Sequence, residues 1–261
     1  MLLTVDVGNT NIVFGFFQND KLMETFRLVT KEKRTTDEWG LPLLQFLSRM
    51  QASVDEIEAV VIASVVPSVM PSLLRAIETY LGQTTLVIDR DIIPTLQYEG
   101  EGRLGADRAV CCDAAIHKYG TPLLVIDLGT ATTFDAVSDT GWYLGGCILA
   151  GVQVSADALA GKAALLPQIE LKRPNTFLGL NTVEQIQIGS VSGYIGGIRY
   201  LIQETIQEMG QKKPIRVIAT GGLAPLVASH IPEIDVVDDG LILDGLRIMY
   251  QNHALKSNEK L

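Results

Sequence analysis

Leu2-Leu-Thr-Val-Asp-Val-Gly-Asn-Thr-Asn11 is the stretch whose reading decides the fold. Its apolar run reads as a short buried strand that carries Asp6 to its end, with a tight turn through Gly8, Asn9 and Thr10. The plainer reading is an ordinary hairpin, where Gly-Asn is common. The other is an anion site. Glycine lets the backbone come close and aim N–H groups at phosphate oxygens, and Thr10 and Asn11 add side-chain hydrogen bonds. Asp6 does not bind phosphate itself, but it can hold water on a Mg²⁺ that does.

The pattern occurs twice. Residues 123–136 read Leu-Leu-Val-Ile-Asp-Leu-Gly-Thr-Ala-Thr-Thr-Phe-Asp-Ala, so Asp127 and Gly129 repeat Asp6 and Gly8 after an equally apolar strand. One match arises easily by chance; two, at corresponding places in the half-chains, point to two similar domains facing each other across a cleft. The domains are expected at 1–121 and 122–261.

The 261 residues suffice for one large domain or two small ones, and 47% apolar content supports a sizeable core. A formal charge of −9, spread along the chain, argues against nucleic acid as a partner, since phosphate backbones need Lys/Arg clusters. Cys111, Cys112 and Cys147 have neither metal-ligand nor disulfide spacing. Reduced thiols, the absence of a basic leader before an apolar stretch, and no apolar run near the ~20 residues that span a bilayer predict a cytoplasmic protein without membrane attachment.

Around the quoted stretch, Ile12–Gln18 and Leu22–Val29 complete a three-stranded antiparallel set. A helix is expected over Asp37–Met50, capped by Thr36 or Asp37, with Pro42 tolerated only in the first turn or at a kink. A buried strand at Glu58–Val66, a helix at Pro67–Leu81 ended by Gly82, and a strand at Thr84–Ile88 give βββαβαβ. Asp89–Arg103 lacks periodicity, and Leu104–Tyr119 is helical. The second half restarts with strands Pro122–Asp127, Thr132–Ser138 and Trp142–Leu149, and a helix at Val152–Leu165. Leu166–Asn181 is loop-like. Then come one long helix at Thr182–Met209, strand Ile215–Thr220, helix Leu223–Ser229, strand Ile234–Val237 and helix Gly240–Asn252, with a frayed tail from His253 to Leu261.

Duplicated βββαβα halves, each with an acidic hairpin, resemble the α/β actin-like ATPase (ribonuclease H-like) superfamily of actin, acetate kinase and the sugar kinases. Gly221-Gly222 after a strand resembles the adenosine-contacting loop of that group. Within it, Asp6-Val-Gly-Asn-Thr10, Gly105-Ala-Asp-Arg108, Asp127-Leu-Gly-Thr130-Ala-Thr-Thr and Gly145-Gly146 occur in the order and approximate spacing of type III pantothenate kinase. Asn181-Thr182 ahead of a helix matches a further piece. The resemblance covers essentially the whole chain.

It implies ATP-dependent phosphorylation of pantothenate to 4′-phosphopantothenate, the first step of coenzyme A biosynthesis. The ATP loop falls on Asp6, Val7, Gly8, Asn9, Thr10, Asn11, Ile12 and Val13, with a second ATP contact on Thr130. The catalytic base falls on Asp107, and the substrate motif on Gly105, Ala106, Asp107 and Arg108. Tyr98 and Thr182 are further pantothenate contacts, Thr182 from the partner subunit of a homodimer whose active site lies at or near the interface. Asp127 is the ligand of a monovalent cation, K⁺ or NH₄⁺, beside the Mg²⁺ of ATP. This chain departs from the family in carrying Glu101, within Glu-Gly-Glu-Gly, where many relatives have a proline after the tyrosine; a more flexible loop is expected there.

Each residue also has a bland reading. Asp107 suits the positive end of a helix dipole whatever its chemistry; against that, an alcohol attacking phosphorus is helped by a carboxylate that takes its proton. Arg108 reads as a surface salt-bridge former or as an anion contact. Tyr98 reads as a packing aromatic and Asp127 as a structural strand-end acid. His117, His230 and His253 are scattered, and neither a P-loop nor a Gly-x-Gly-x-x-Gly opening a helix is present. Two rivals remain: a sugar kinase, which needs several polar side chains around hydroxyls, and a nucleotide-dependent switch or transcription-linked accessory factor.

Overall fold

The computed structural model describes residues 1–30, 33–88, 96–98 and 104–258, the last five by backbone alone. The chain forms two compact units. One comprises Met1–Leu96, Gly100–Ala114 and Gly240–Leu261, the other Gln97–Glu99 and Ala115–Asp239.

In the first unit, β1 (Leu2–Val7), β2 (Asn11–Gln18) and β3 (Lys21–Val29) form the antiparallel set, and β4 (Ala59–Ser64) and β5 (Thr85–Val87) add parallel strands in the order β3-β2-β1-β4-β5. Alternation sorts the side chains. Leu3, Val5 and Val7 face a core that helices α1 (Thr36–Arg49) and α2 (Met70–Leu81) cover with Trp39, Leu43, Leu73 and Ile77. Thr4 and Asp6 point to the opposite face. There Leu2, Phe17, Val61 and Ala63 pack with Val110 of α3 (Ala106–Tyr119) and with Leu243, Leu246 and Met249 of α8 (Leu241–Asn258).

In the second unit, β6 (Leu123–Leu128), β7 (Ala131–Val137), β8 (Tyr143–Ala150), β9 (Arg216–Thr220) and β10 (Val236–Val237) take the order β10-β9-β6-β7-β8. Read from the other edge this is the order of the first sheet, with β6 in the place of β1, so the duplication extends to topology. Leu124, Ile126, Phe134 and Val217 face a core closed by α4 (Val152–Lys162), α6 (Gly193–Met209) and α7 (Ala224–Ala228).

Several local expectations are corrected. The cap of α1 is Thr35: its Oγ1 accepts from Glu38 N–H at 3.3 Å while the Glu38 carboxylate accepts from Thr35 N–H at 2.7 Å, a capping box that outcompetes Thr36 and Asp37. Pro42 stands inside α1. The long helix from Thr182 is interrupted: α5 (Thr182–Gln187) passes through a π-helical turn at Ile188–Ser192 before α6. The last helix continues to Asn258, so residues 253–258 are helical rather than frayed. It packs on the first sheet, through Leu243, Leu246 and Met249. The Asp89–Arg103 segment lies largely outside the described residues, Glu101 included. Among the described residues no helix is long and apolar enough to cross a membrane.

Helices α3 and α8 meet at Gly245. A Cβ there would lie 2.6 Å from Val110 Cγ1 and 2.9 Å from the Val110 carbonyl. Alanine is favoured over glycine in a helix by about 1 kcal/mol, but overpacking against backbone costs about 1–3 kcal/mol. Gly245→Ala is therefore expected to lower the melting temperature despite better propensity; an increase would show that the two helices part without cost.

Candidate active site

The two acidic hairpins are built alike. In each six-residue strand, Leu2–Val7 and Leu123–Leu128, the first four residues and the last are buried and the fifth, Asp6 or Asp127, is half-buried. Asp6 pairs with Val13 and Asp127 with Thr133 across the hairpins. In the first turn, Gly8 N–H donates to the Asn11 carbonyl at 3.1 Å, and Thr30 Oγ1 donates to the Gly8 carbonyl at 2.7 Å. Asn9, Thr10 and Asn11 are exposed, whereas Val7 and Ile12 belong to the core. Of the Asp6–Val13 loop, Val7 and Ile12 thus have only backbone atoms to offer a ligand.

Asp107 stands in the first turn of α3, where Gly105 provides the carbonyl that accepts from Ala109 N–H at 3.0 Å. The Asp107 carboxylate folds back over Gly105: a Cβ on that glycine would lie 2.5 Å from Asp107 Oδ1. Ala106 and Arg108 are half-buried beside it. Because α3 packs through Val110 on the face of the first sheet to which Asp6 points, the structure brings the substrate motif and the first acidic hairpin to the same side of that sheet.

The second unit holds Asp127, Thr130, Tyr98 and Thr182. Thr130 is exposed, and its carbonyl accepts from Gly151 N–H at 3.0 Å, tying the turn to the start of α4. Gly221 adopts φ +89°, and a Cβ there would lie 2.3 Å from Asp127 Oδ1 and 2.8 Å from the Leu128 backbone. The Asp127 carboxylate thus lies where a side chain on residue 221 would have to stand. Near this hairpin, Tyr194 and Thr132 hydroxyls are hydrogen-bonded. Burial, aided by the negative charge of Asp127, raises the Tyr194 hydroxyl above the ordinary tyrosine range against the opposing effect of Thr132, so the phenol stays neutral. Tyr98 is partly exposed, its ring centroid 5.5 Å from that of Tyr143. Thr182 is exposed as the first residue of α5; the preceding Asn181 caps that helix by accepting from Glu184 N–H at 3.0 Å.

Sequence reasoning missed Asp135, Tyr143 and Tyr194. Asp135 carried a signal, the one charged residue of the strand Ala131–Val137; the two tyrosines depend on a bulge and a π-turn that no local pattern announces.

Gly221→Ala is expected to destabilise by on the order of 2 kcal/mol from left-handed strain and collision with Asp127. That corresponds to a fall in Tm of about 5 °C. An unchanged Tm would show that the Asp127 carboxylate swings aside freely.

The model of type III pantothenate kinase matches residues 2–204. A type III pantothenate kinase from Bacillus cytotoxicus is 39% identical over 262 aligned residues, covering 100% of this chain and 99% of that relative. Among solved structures, a protein assigned to the Baf family of transcriptional activators from Campylobacter jejuni aligns with a TM-score of 0.56 at 20% identity, over 99% of this chain and 100% of that one. An activator of 2-hydroxyisocaproyl-CoA dehydratase from Clostridium difficile, solved with bound ADPNP, aligns at 0.56 and 11% identity over 100% and 97%. These two likenesses concern the fold alone. With the duplicated acidic hairpins and the Gly105–Arg108 motif in place, the chain belongs to the type III pantothenate kinase family, the kinases that phosphorylate pantothenate with ATP in coenzyme A biosynthesis.

Proposed function

We propose that this reaction, ATP plus pantothenate to ADP plus 4′-phosphopantothenate, is shared here among three carboxylates. Asp107 is the general base: it takes the proton of the primary hydroxyl as that oxygen attacks the γ-phosphorus and ADP departs. The Asp6–Val13 turn receives the phosphates through backbone N–H groups, Thr10 and Asn11, and Asp6 orients water on the nucleotide's Mg²⁺. That metal is held mostly by phosphate and water, so a single carboxylate is a sufficient protein share. Thr130 adds a hydroxyl to the nucleotide. Gly105–Arg108, Tyr98 and Thr182 receive pantothenate, with the Arg108 guanidinium meeting an anion, either the substrate carboxylate or the transferring phosphate. What carries this reading is the pair of equivalent acidic hairpins on two sheets of one strand order, with a third carboxylate on the helix that covers the Asp6 face.

A monovalent cation, K⁺ or NH₄⁺, is assigned to Asp127, whose half-buried charged oxygens are donors of the right kind. When bound, the cation would supply positive charge that offsets that carboxylate beside an anionic nucleotide. Asp107→Asn is expected to lower kcat about 10²- to 10⁴-fold with little change in the pantothenate KM. Pantothenate-dependent ADP release, measured with and without potassium, checks both points. Unchanged turnover in the variant removes Asp107 from the chemistry, and turnover indifferent to potassium removes the cation.

The working form in this reading is a cytoplasmic homodimer. Leu178 and Leu180 are 84% and 94% exposed in one chain, an apolar display just before Thr182. Leu180→Glu is expected to convert a species of twice 28.3 kDa into one of 28.3 kDa in light scattering and to cut kcat/KM for pantothenate at least about tenfold. A fully active dimer would exclude this loop from the interface.

A further inference from the structure

Tyr143 opens β8, and its hydroxyl donates to Asp135 Oδ1 at 3.0 Å. Asp135 is 1% exposed and also accepts from Thr133 Oγ1 on Oδ2 at 3.3 Å. A carboxylate buried in a strand persists only with such hydrogen bonds. The pairing that permits the contact is irregular. Asp135 faces Gly146 and Ala136 faces Gly145, but Val137 faces Tyr143, so the register skips Leu144. Gly145 takes φ +127°, a conformation glycine alone adopts readily. Without this bulge, alternation from Gly146 would put Leu144 and Trp142 on the Asp135 face and turn Tyr143 away. The inserted residue brings Tyr143 round to Asp135.

What Tyr143 meets there is Tyr98. The rings lie 5.5 Å apart at 58°, and the backbones are joined: Tyr143 N–H donates to the Gln97 carbonyl at 2.8 Å, and Gln97 N–H to the Gly141 carbonyl at 3.3 Å. The face involved is that of Asp127, since Asp127 pairs with Thr133 and Thr133 shares its side of β7 with Asp135.

We propose that Tyr143, anchored by Asp135 across the β8 bulge, is a positioning residue that holds the Tyr98 ring where it contacts pantothenate and so sets affinity for the acceptor without touching the nucleotide. This rests on the reading of Tyr98 as a pantothenate contact. The anchored ring restricts Tyr98 before substrate arrives, and ordering that is already present in the free protein need not be supplied on binding.

A double-mutant cycle on the full-length enzyme tests it, with KM for each substrate, kcat, and calorimetric binding of pantothenate in the presence of ADPNP. Tyr98→Ala and Tyr143→Ala are each expected to weaken pantothenate about tenfold, and the double variant no more than about twofold beyond Tyr98→Ala, with the ATP KM and kcat within about threefold of wild type. Tyr143→Phe, which keeps the ring and its packing, is expected to give a rise of about threefold in the pantothenate KM, and Asp135→Asn, which keeps an acceptor for the hydroxyl, a smaller one. If Tyr98→Ala weakens pantothenate but Tyr143→Ala or Tyr143→Phe does not, or if the two alanine effects add in full, the positioning role is overturned and the Tyr98 contact stands. If both substrates and kcat suffer alike, Tyr143 is only structural and the role is again overturned. If Tyr98→Ala leaves pantothenate binding unchanged, the contact and the positioning role fall together.

Discussion

A carboxylate in a central β-strand must reach water or a partner, because leaving it bare in the interior costs several kcal/mol. The two master strands meet this condition identically. Each places its acid fifth of six, half-buried, one step before the chain turns. The apolar residues before it lock the strand between an antiparallel neighbour and a parallel one, which fixes where the acid emerges. Rigid strands thus hold the charges, and the adjoining turns, rich in glycine and small polar residues, are where the donors are proposed. A kinase needs this combination, since phosphoryl transfer depends on positioning and on charge placed in advance.

The two sheets share an order but not a use. In the first, the Asp6 face is largely apolar and packs against α3 and α8, so the chemistry proposed for it falls at the end of the strand and at the helix start that bears Asp107. In the second, the corresponding face carries Thr133 and Asp135 as well as Asp127, and the β8 bulge adds Tyr143. Duplication supplied the frame, and divergence of polar residues on one face separates the role of the second unit from that of the first.

Much of this was legible in the residues. The strands stood out because apolar runs such as Leu2–Val7 and Ala59–Ser64 are bounded by turn chemistry, and the repeated Asp-x-Gly revealed the duplication before any coordinates. Gly82 announced a helix end and has φ +64°. What escaped reading depends on geometry beyond a local window. The π-turn at Ile188–Ser192 follows from packing of Val191 into the second core, since nothing in Ile-Gly-Ser-Val-Ser distinguishes it from ordinary helix. The bulge at Gly145 belongs to a pair of strands, so β8 alone does not disclose it. The extension of α8 past His253 runs against a polar composition that by itself suggested fraying.

The placement of α8 bears on how the protein is made. Leu2, Phe17, Val61 and Ala63 are synthesised long before the side chains that shield them, Leu243, Leu246 and Met249. All of the second unit, through Asp239, emerges in between. The nascent N-terminal sheet therefore waits with α3 but not α8 on this face, while its sibling has every residue it needs to condense. A stop codon before 241 would leave the apolar surface that Leu243, Leu246 and Met249 cover permanently exposed.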